Sequence, residues 1–317
     1  MMNPRCITGL DNVPDEARGC VLTLGNFDGV HLGHRSIIAS ARALADAEAI
    51  PVVAMTFDPP PGLVLHPDAS PQRLTLPDCK ASLLCECGAD YSVTAQANIE
   101  LLSLPPEDFV REILVGYFAP KHIVEGNNFF YGRNRAGDVR TLRASGVKCG
   151  FTVHLAESIV ADLGDGPVLI SSTLVRKLLL QGRVESAARA LGRPFEICGT
   201  VVEGAQRGRG MNYPTANVDP GSQIVPADGV YAGIARVDQR EHLAAISIGD
   251  QPTFDGSARA IEAFLLDVEG CFYGKIMTLS FETRLRDQVK FESTAELADQ
   301  MRKDVERVRE LVRQSPG

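Results

Sequence analysis

Apolar residues in the first half of the chain alternate between short unbroken runs and stretches spaced at three and four. "GCVLTLG", "IPVVAMTFDPPP", "ADYSVTA" and "PKHIVEG" are brief runs closed by Gly, Pro or turn residues, and they predict strands. Among them, "HRSIIASARALADA" sets Ile37, Ile38, Ala41, Leu44 and Ala45 on one helical face, and "PPEDFVREILVGYF" predicts a second helix. Strand–helix–strand alternation predicts a parallel α/β sheet of Rossmann-like type, covered on both faces. Such sheets bind ligands at the carboxyl ends of their strands, where "GNFDG" and "EGNNFFYG" both fall.

Past the middle the rhythm changes. "FEICGTVVEG", "DGVYAGIARVD", "HLAAISIGD", "AIEAFLLDVEG" and "KIMTLSFETRLR" are β-rich runs separated by Gly, Asp and Pro turns. They predict an antiparallel β-barrel or sandwich. A closing helix is predicted by a capping box at Ser293 and Glu296 and an apolar stripe of Leu297, Met301, Val305 and Val308. Between the halves, "LLLQGRVESAARALGRPFEI" predicts a short helix ended by Gly192, with Pro194 barring its continuation. The expected domains are 1–188 and 189–317.

Composition narrows the function classes. A net charge of -8 weighs against a nucleic-acid partner, whereas for a small nucleotide Mg²⁺ can supply the missing positive charge. No apolar run approaches the ~20 residues needed to cross a bilayer, and "MMNPRCITGL" lacks a signal-peptide core, so a cytoplasmic protein without a membrane partner is expected. The eight cysteines are scattered, and Cys79, Cys85 and Cys87, with His66 upstream, lack zinc-site spacing, so no metal is expected there.

Two stretches carry phosphate chemistry at helix starts. "GNFDGVHLGH" gives G-x-F-D-G-x-H-x-G-H, and none of the usual phosphate-loop, dinucleotide or H-E-x-x-H patterns occurs in the chain. A helix starting near Gly33 directs its free N–H groups back at the loop, and His31 and His34 add imidazole donors there. Gly29 and Gly33 are expected to let backbone approach a nucleotide. "LISSTLVRKLL" opens another helix with Ser171, Ser172 and Thr173, bringing Arg176 onto its first turn. Taken alone, this start reads equally as the cap of a plain amphipathic helix.

A second phosphate site is predicted in "VVEGAQRGRGMNYPTANV". Gly204, Gly208 and Gly210 can align backbone N–H groups on phosphate oxygens. Thr215 and Asn217, two apart on a strand, share a face and offer neutral oxygens to Mg²⁺. The alternative for this loop is a hairpin with a basic tip. Glu262 in "AIEAFLLD" is a lone carboxylate on a strand, and by pattern alone it fits a water-facing edge equally well.

"GNFDGVHLGH", "EGNNFFYGRNRAGD", "ISSTLVR", "LGRPFEICGTVVEGAQRGRG", "YPTANV" and "EAFLLD", in that order, resemble the bacterial bifunctional riboflavin kinase/FAD synthetases over nearly the whole chain. The resemblance implies a nucleotidyltransferase domain that adenylylates FMN to FAD, followed by a β-barrel kinase that phosphorylates riboflavin to FMN. It implies ATP as co-substrate, Mg²⁺ as cofactor, and riboflavin, FMN and FAD as ligands. The adenylyltransferase ATP site would comprise Gly25, Phe27, Asp28, Gly29, His31, Gly33, His34, Asn128, Ser171, Ser172, Thr173 and Arg176. Within it His31 and His34 would meet the phosphates, Asn128 the transferred phosphate, and Ser172 and Arg176 the pyrophosphate. The kinase would use Gly204, Arg207, Gly208, Arg209 and Gly210 for ATP, Thr215 and Asn217 for Mg²⁺, and Glu262 as base. A monomer or weak homo-oligomer is expected.

The pattern departs from its relatives at Pro60, where His is frequent, and at Gly210 and Asn212, where Thr and Gly are common. It also departs at Ser247, where Asn is usual, and at Phe264, where His is usual. Pro60 keeps a second reading open, a riboflavin kinase with a weakened or regulatory first domain. A non-catalytic flavin carrier is a third, against which the intact metal ligands and base speak. Phe129, Phe130 and Tyr131 fit a stacking surface or core packing and are given no role.

Overall fold

A computed structural model describes residues 5–203, 215–253, 256–268, 270 and 272–312. It contains two compact units that divide between Ser171 and Ser172. In the first, strands β1 (Arg5–Thr8), β2 (Val21–Leu24), β3 (Val52–Asp58), β4 (Tyr91–Gln96) and β5 (His122–Gly126) join a later strand in one sheet. Two short strands, β6 (Phe130–Tyr131) and β7 (Gly137–Asp138), pair with each other before that last strand, β8 (Thr152–Ala156). The order is β1-β4-β3-β2-β5-β8, all parallel. A separate antiparallel pair, β9 (Val160–Asp162) and β10 (Pro167–Leu169), follows.

Both faces of the sheet are covered, as the unbroken apolar runs require. Ile38, Ala41 and Ala45 of α1 (Leu32–Glu48) pack on Val21, Val52, Ala54 and Val124. Beyond α2 (Pro61–Leu65), Leu84 of α3 (Pro77–Glu86) joins that layer. On the other face, α4 (Ile99–Leu102) and α5 (Pro106–Asp108) lead into a π-helix over Phe109–Phe118. The expected second helix is therefore present but wound more widely. Its i→i+5 turns align Phe109, Ile113, Leu114 and Phe118, spaced four and five apart, against Leu22, Met55, Val93 and Ile123. Leu142 of α6 (Val139–Cys149) completes the layer.

The chain reverses its direction of travel across the sheet at β2, between β3 and β5. β2 and β5 pair only at Val21↔His122 and Leu22↔Ile123, then part toward their carboxyl ends. In the gap the Leu24 N–H donates to Glu125 Oε1 at 2.8 Å, so a side chain replaces the missing strand partner. Glu125 is 2% exposed, and burial raises its carboxyl well above the usual range. The folded state therefore binds this proton over a window where the unfolded chain has lost it, and stability falls as pH rises above about 4.5. Glu125→Gln keeps an acceptor for Leu24 and cannot ionise. It is expected to match the native chain in thermal melts near pH 5 and to melt higher at pH 8.

The second unit opens with α7 (Ser172–Leu180) and α8 (Val184–Leu191), which ends at Gly192 in the left-handed region as expected. The units divide ahead of the expected 188/189 boundary because these helices pack on the barrel. The Ala227 N–H donates to the Leu179 carbonyl at 2.9 Å, and the Arg284 N–H donates to the Glu185 carboxylate at 3.0 Å. The barrel strands are β11 (Phe195–Val202), β12 (Thr215–Asp219), β13 (Gly229–Val237), β14 (Arg240–Thr253), β15 (Gly256–Leu265) and β16 (Ile276–Arg286). They close in the order β11-β12-β15-β14-β13-β16. Ala216, Tyr231, Ile246 and Ala263 face one another across the ladder and are buried. At Gly233 the strands approach so closely that a Cβ would lie 2.1 Å from the Ser280 carbonyl.

The opposite face of this ladder carries Ala232, Ala245 and Phe264, which pack against Val305 and Val308 of α9 (Thr294–Val312). One buried ion pair fastens this helix: Arg286 Nη2 meets Asp304 Oδ2 at 2.7 Å, and Gln300 donates to Asp304 Oδ1 at 2.9 Å. The predicted capping box is half formed. Ser293 Oγ accepts from the Glu296 N–H, but the Glu296 carboxylate accepts from the Glu292 N–H rather than that of Ser293.

Candidate active sites

In the first unit, the loop between β2 and α1 sits at the carboxyl end of β2, beside the gap between β2 and β5. Gly25 donates to the Met55 carbonyl at 3.1 Å, continuing the ladder toward β3. The loop then passes through positive φ at Phe27, Gly29 and Val30, and the value of 85° at Gly29 suits a residue without Cβ. His31 caps α1, its Nδ1 accepting the His34 N–H at 3.4 Å. The helix thus begins one residue earlier than expected, and the cap leaves the His31 ring proton on Nε2. The rings of His31 and His34 stack with centres 3.6 Å apart at 19°, and the Phe27 ring stands edge-on to His34 with centres 5.2 Å apart. The site therefore presents an ordered imidazole pair at a helix mouth. Burial, with His31 and Lys80 adding to it, holds His34 well below the usual histidine range. Its Nδ1 is buried without a hydrogen-bond partner. A buried polar atom left unpaired beside free helix N–H groups suits an incoming phosphate.

Three residues of this stretch also shape the loop itself. The space of a Gly33 Cβ is taken by the His31 ring, 3.1 Å away, so this glycine makes room for the stack. Asp28 accepts N–H bonds from Leu74 and Thr75, pinning the loop to a distant segment. Phe27 is buried and braces His34. Asn128 lies at the carboxyl end of β5, its Oδ1 over Gly126, whose missing Cβ would also meet Ile37 of α1. Ser171 follows Ile170, whose carbonyl faces Gly33. Ser172, Thr173 and Arg176 lie on α7 of the second unit, with Arg176 at its fifth position rather than its first turn. Phe129 and Tyr131 pack into the core, while Phe130 is exposed under Arg135 at 4.9 Å.

In the second unit a cavity of about 540 Å³ lies between the outer barrel face and α9. Thr215, Ser247, Glu262 and Phe264 line its barrel wall, and Leu297 and Met301 line its helix wall. Register explains the grouping. Asn217 faces Glu262 across β12 and β15, Glu262 faces Ser247 across β15 and β14, and Thr215 faces Phe264. Directly opposed residues share a face with Cβ atoms about 5 Å apart. The Glu262 carboxylate therefore shares the cavity wall with the hydroxyls of Thr215 and Ser247, and Asn217 is its cross-strand neighbour. The apolar stripe of α9 is at once its packing surface and the roof of the cavity. Gln288 donates to Ser247 Oγ at 2.8 Å and to the Ile248 carbonyl at 2.9 Å, fixing the rim. Gly204, Arg207, Gly208, Arg209 and Gly210, with Asn212, lie outside the described residues. Among the described residues no cluster of three His, Cys, Asp or Glu is arranged for a metal.

Lys80, Glu125, Gln288 and the Arg286–Asp304 pair carry no motif in the sequence and become visible only through burial and partners.

Comparison with known proteins also gives two parts. A family profile described as FAD synthetase matches residues 13–174, and one described as riboflavin kinase matches residues 191–312. Among curated proteins, the bifunctional riboflavin kinase/FMN adenylyltransferase of Pseudomonas fluorescens is 37% identical over 96% of this chain and 97% of its own. The protein of the same description from Escherichia coli K12 is 34% identical over 97% and 96%. A crystal structure described as a macrolide-efflux protein from Streptococcus pneumoniae superimposes with a TM-score of 0.85 at 29% identity, covering 96% of this chain and 98% of that one. Among the described residues here, no helix is long and apolar enough to cross a membrane.

Proposed function

Because this chain belongs to the bifunctional riboflavin kinase/FMN adenylyltransferase family, we propose that it makes FMN in the barrel unit and FAD in the α/β unit, each with ATP. The observation that carries the two-site reading is that each unit, taken by itself, holds its own reactive grouping. One is a stacked histidine pair at a helix mouth, and the other is a carboxylate opposed to Asn217 on a cavity wall.

In the barrel, Glu262 takes the proton of the ribityl hydroxyl as that oxygen attacks the γ-phosphorus of ATP, and ADP leaves. Thr215 and Asn217 would hold Mg²⁺. Two neutral oxygens suit a hard cation that keeps water and phosphate among its ligands, and when bound it neutralises phosphate charge. In the α/β unit a phosphate oxygen of FMN attacks the α-phosphorus of ATP, and pyrophosphate leaves without a covalent enzyme intermediate. His31 Nε2–H and the first N–H groups of α1 hold the negative charge that grows on the phosphate. The neutral state of His34 keeps that ring a hydrogen-bonding group rather than a counter-ion.

The test is purified protein with riboflavin, ATP and Mg²⁺, its products separated over time. FMN followed by FAD is expected. FMN alone would leave a kinase with a regulatory first unit, and neither product would overturn the reading.

A further inference from the structure

Helix α3 brings one more charged group beneath the first site. Lys80 is 4% exposed, and its Nζ donates to the Asn26 carbonyl at 3.1 Å and to the Phe57 carbonyl at 3.2 Å. Asn26 opens the loop that carries Phe27, Gly29 and His31, and Phe57 lies near the carboxyl end of β3. One side chain thus ties the loop to the neighbouring strand on the face where the histidines stand. A buried ammonium is costly unless it is hydrogen-bonded and balanced by charge. Here its bonds go to carbonyls rather than carboxylates. The two nearby acids are committed elsewhere, Asp28 to the Leu74 and Thr75 N–H groups and Asp58 to Arg73 at 2.6 Å. Asp28 and Asp58 therefore balance part of the charge from a distance without bonding the ammonium, which lies next to a loop built for an anion.

We propose that Lys80 is a positioning residue for adenylyl transfer, fixing the loop that presents His31 and His34 and placing a buried positive charge behind the bound triphosphate. This rests on the reading of the first unit as an adenylyltransferase. The charged or titratable groups around Lys80 are Asp28, Asp58, Arg73 and His34. Burial outweighs the two carboxylates and pushes the ammonium down to about 8, while His34 is already neutral above the ordinary histidine range. FAD formation should therefore decline as pH rises through about 8, and an arginine, charged throughout, should remove that decline.

The experiment measures FMN and FAD formation by the full chain and by its Lys80→Met and Lys80→Arg variants from pH 7 to about 9.5, a range set to bracket the lysine. Lys80→Met is expected to lower kcat for FAD formation by about tenfold or more at pH 7 while leaving FMN formation unchanged. Lys80→Arg is expected to show a flatter alkaline limb than the native chain. A Lys80→Met protein of native kcat for FAD formation at pH 7 overturns the proposal. If Lys80→Met unfolds the first unit, the native and Lys80→Arg profiles decide, and identical alkaline limbs refute the role. A native chain that forms no FAD at any pH refutes the adenylyltransferase reading instead.

Discussion

Glu262→Gln is expected to lower FMN formation by about 10²- to 10⁴-fold, the usual share of a positioned general base, while FAD formation from supplied FMN is unchanged. The substitution keeps the side-chain volume and leaves the ladder between β15 and its neighbours intact, because that ladder is made by backbone groups. What it removes is the ability to accept a proton. The ribityl hydroxyl must shed one as it attacks phosphorus, and on this wall of the cavity the groups opposite Glu262 are an amide and a hydroxyl, Asn217 and Ser247, neither of them a base. Steady-state rates of both reactions on one preparation check the outcome. A Gln variant with native FMN formation would show that Glu262 is not the base.

His31→Asn is the mirror experiment. Asparagine is a good helix cap, so the first turn of α1 keeps an acceptor for the His34 N–H. The ring is lost, and with it the Nε2 donor and the 3.6 Å stack that orients His34. FAD formation should fall by about 10²- to 10³-fold, as for removal of one preorganised donor from a phosphate or oxyanion site. FMN formation should stay at the native rate. His31→Ala should lose the same activity and about 1 kcal/mol of stability in addition, because it also removes the cap. If the Asn variant retains FAD formation, the imidazole pair serves the helix and not the phosphate. If either substitution impairs both reactions equally, the two sites are not independent.

What the residue pattern shows of this molecule depends on how local the determinant is. The helix α1, the histidines at its mouth and the shared face of Thr215 and Asn217 follow from spacing within a few residues. The partners across the barrel do not. That Glu262 stands between Asn217 and Ser247 is a matter of register among three strands, and residue spacing carries no register. Strands β1 and β8 escape the pattern because they are short edge strands whose residues are only partly buried. Asp28 reads as a phosphate-loop acid, and the pattern does not show its bonds to backbone 46 and 47 residues away. Lys80 looks like an ordinary surface lysine in "PDCKASLLCE", a helix without a clean apolar stripe, and only its burial reveals the role. The unit boundary shifts for a similar reason. Gly192 and Pro194 end a helix where the pattern says, yet the packing of α7 and α8 decides which unit owns them.

The ladder of the barrel returns on itself, β11 pairing with β12 on one side and β16 on the other. A sheet without a first or last strand offers no row of vacant amides to a passing chain, so it cannot template strand addition. The open sheet of the other unit does end, at β1 and β8. Of these two edges, β1 offers a passing chain only four residues, led by an exposed arginine.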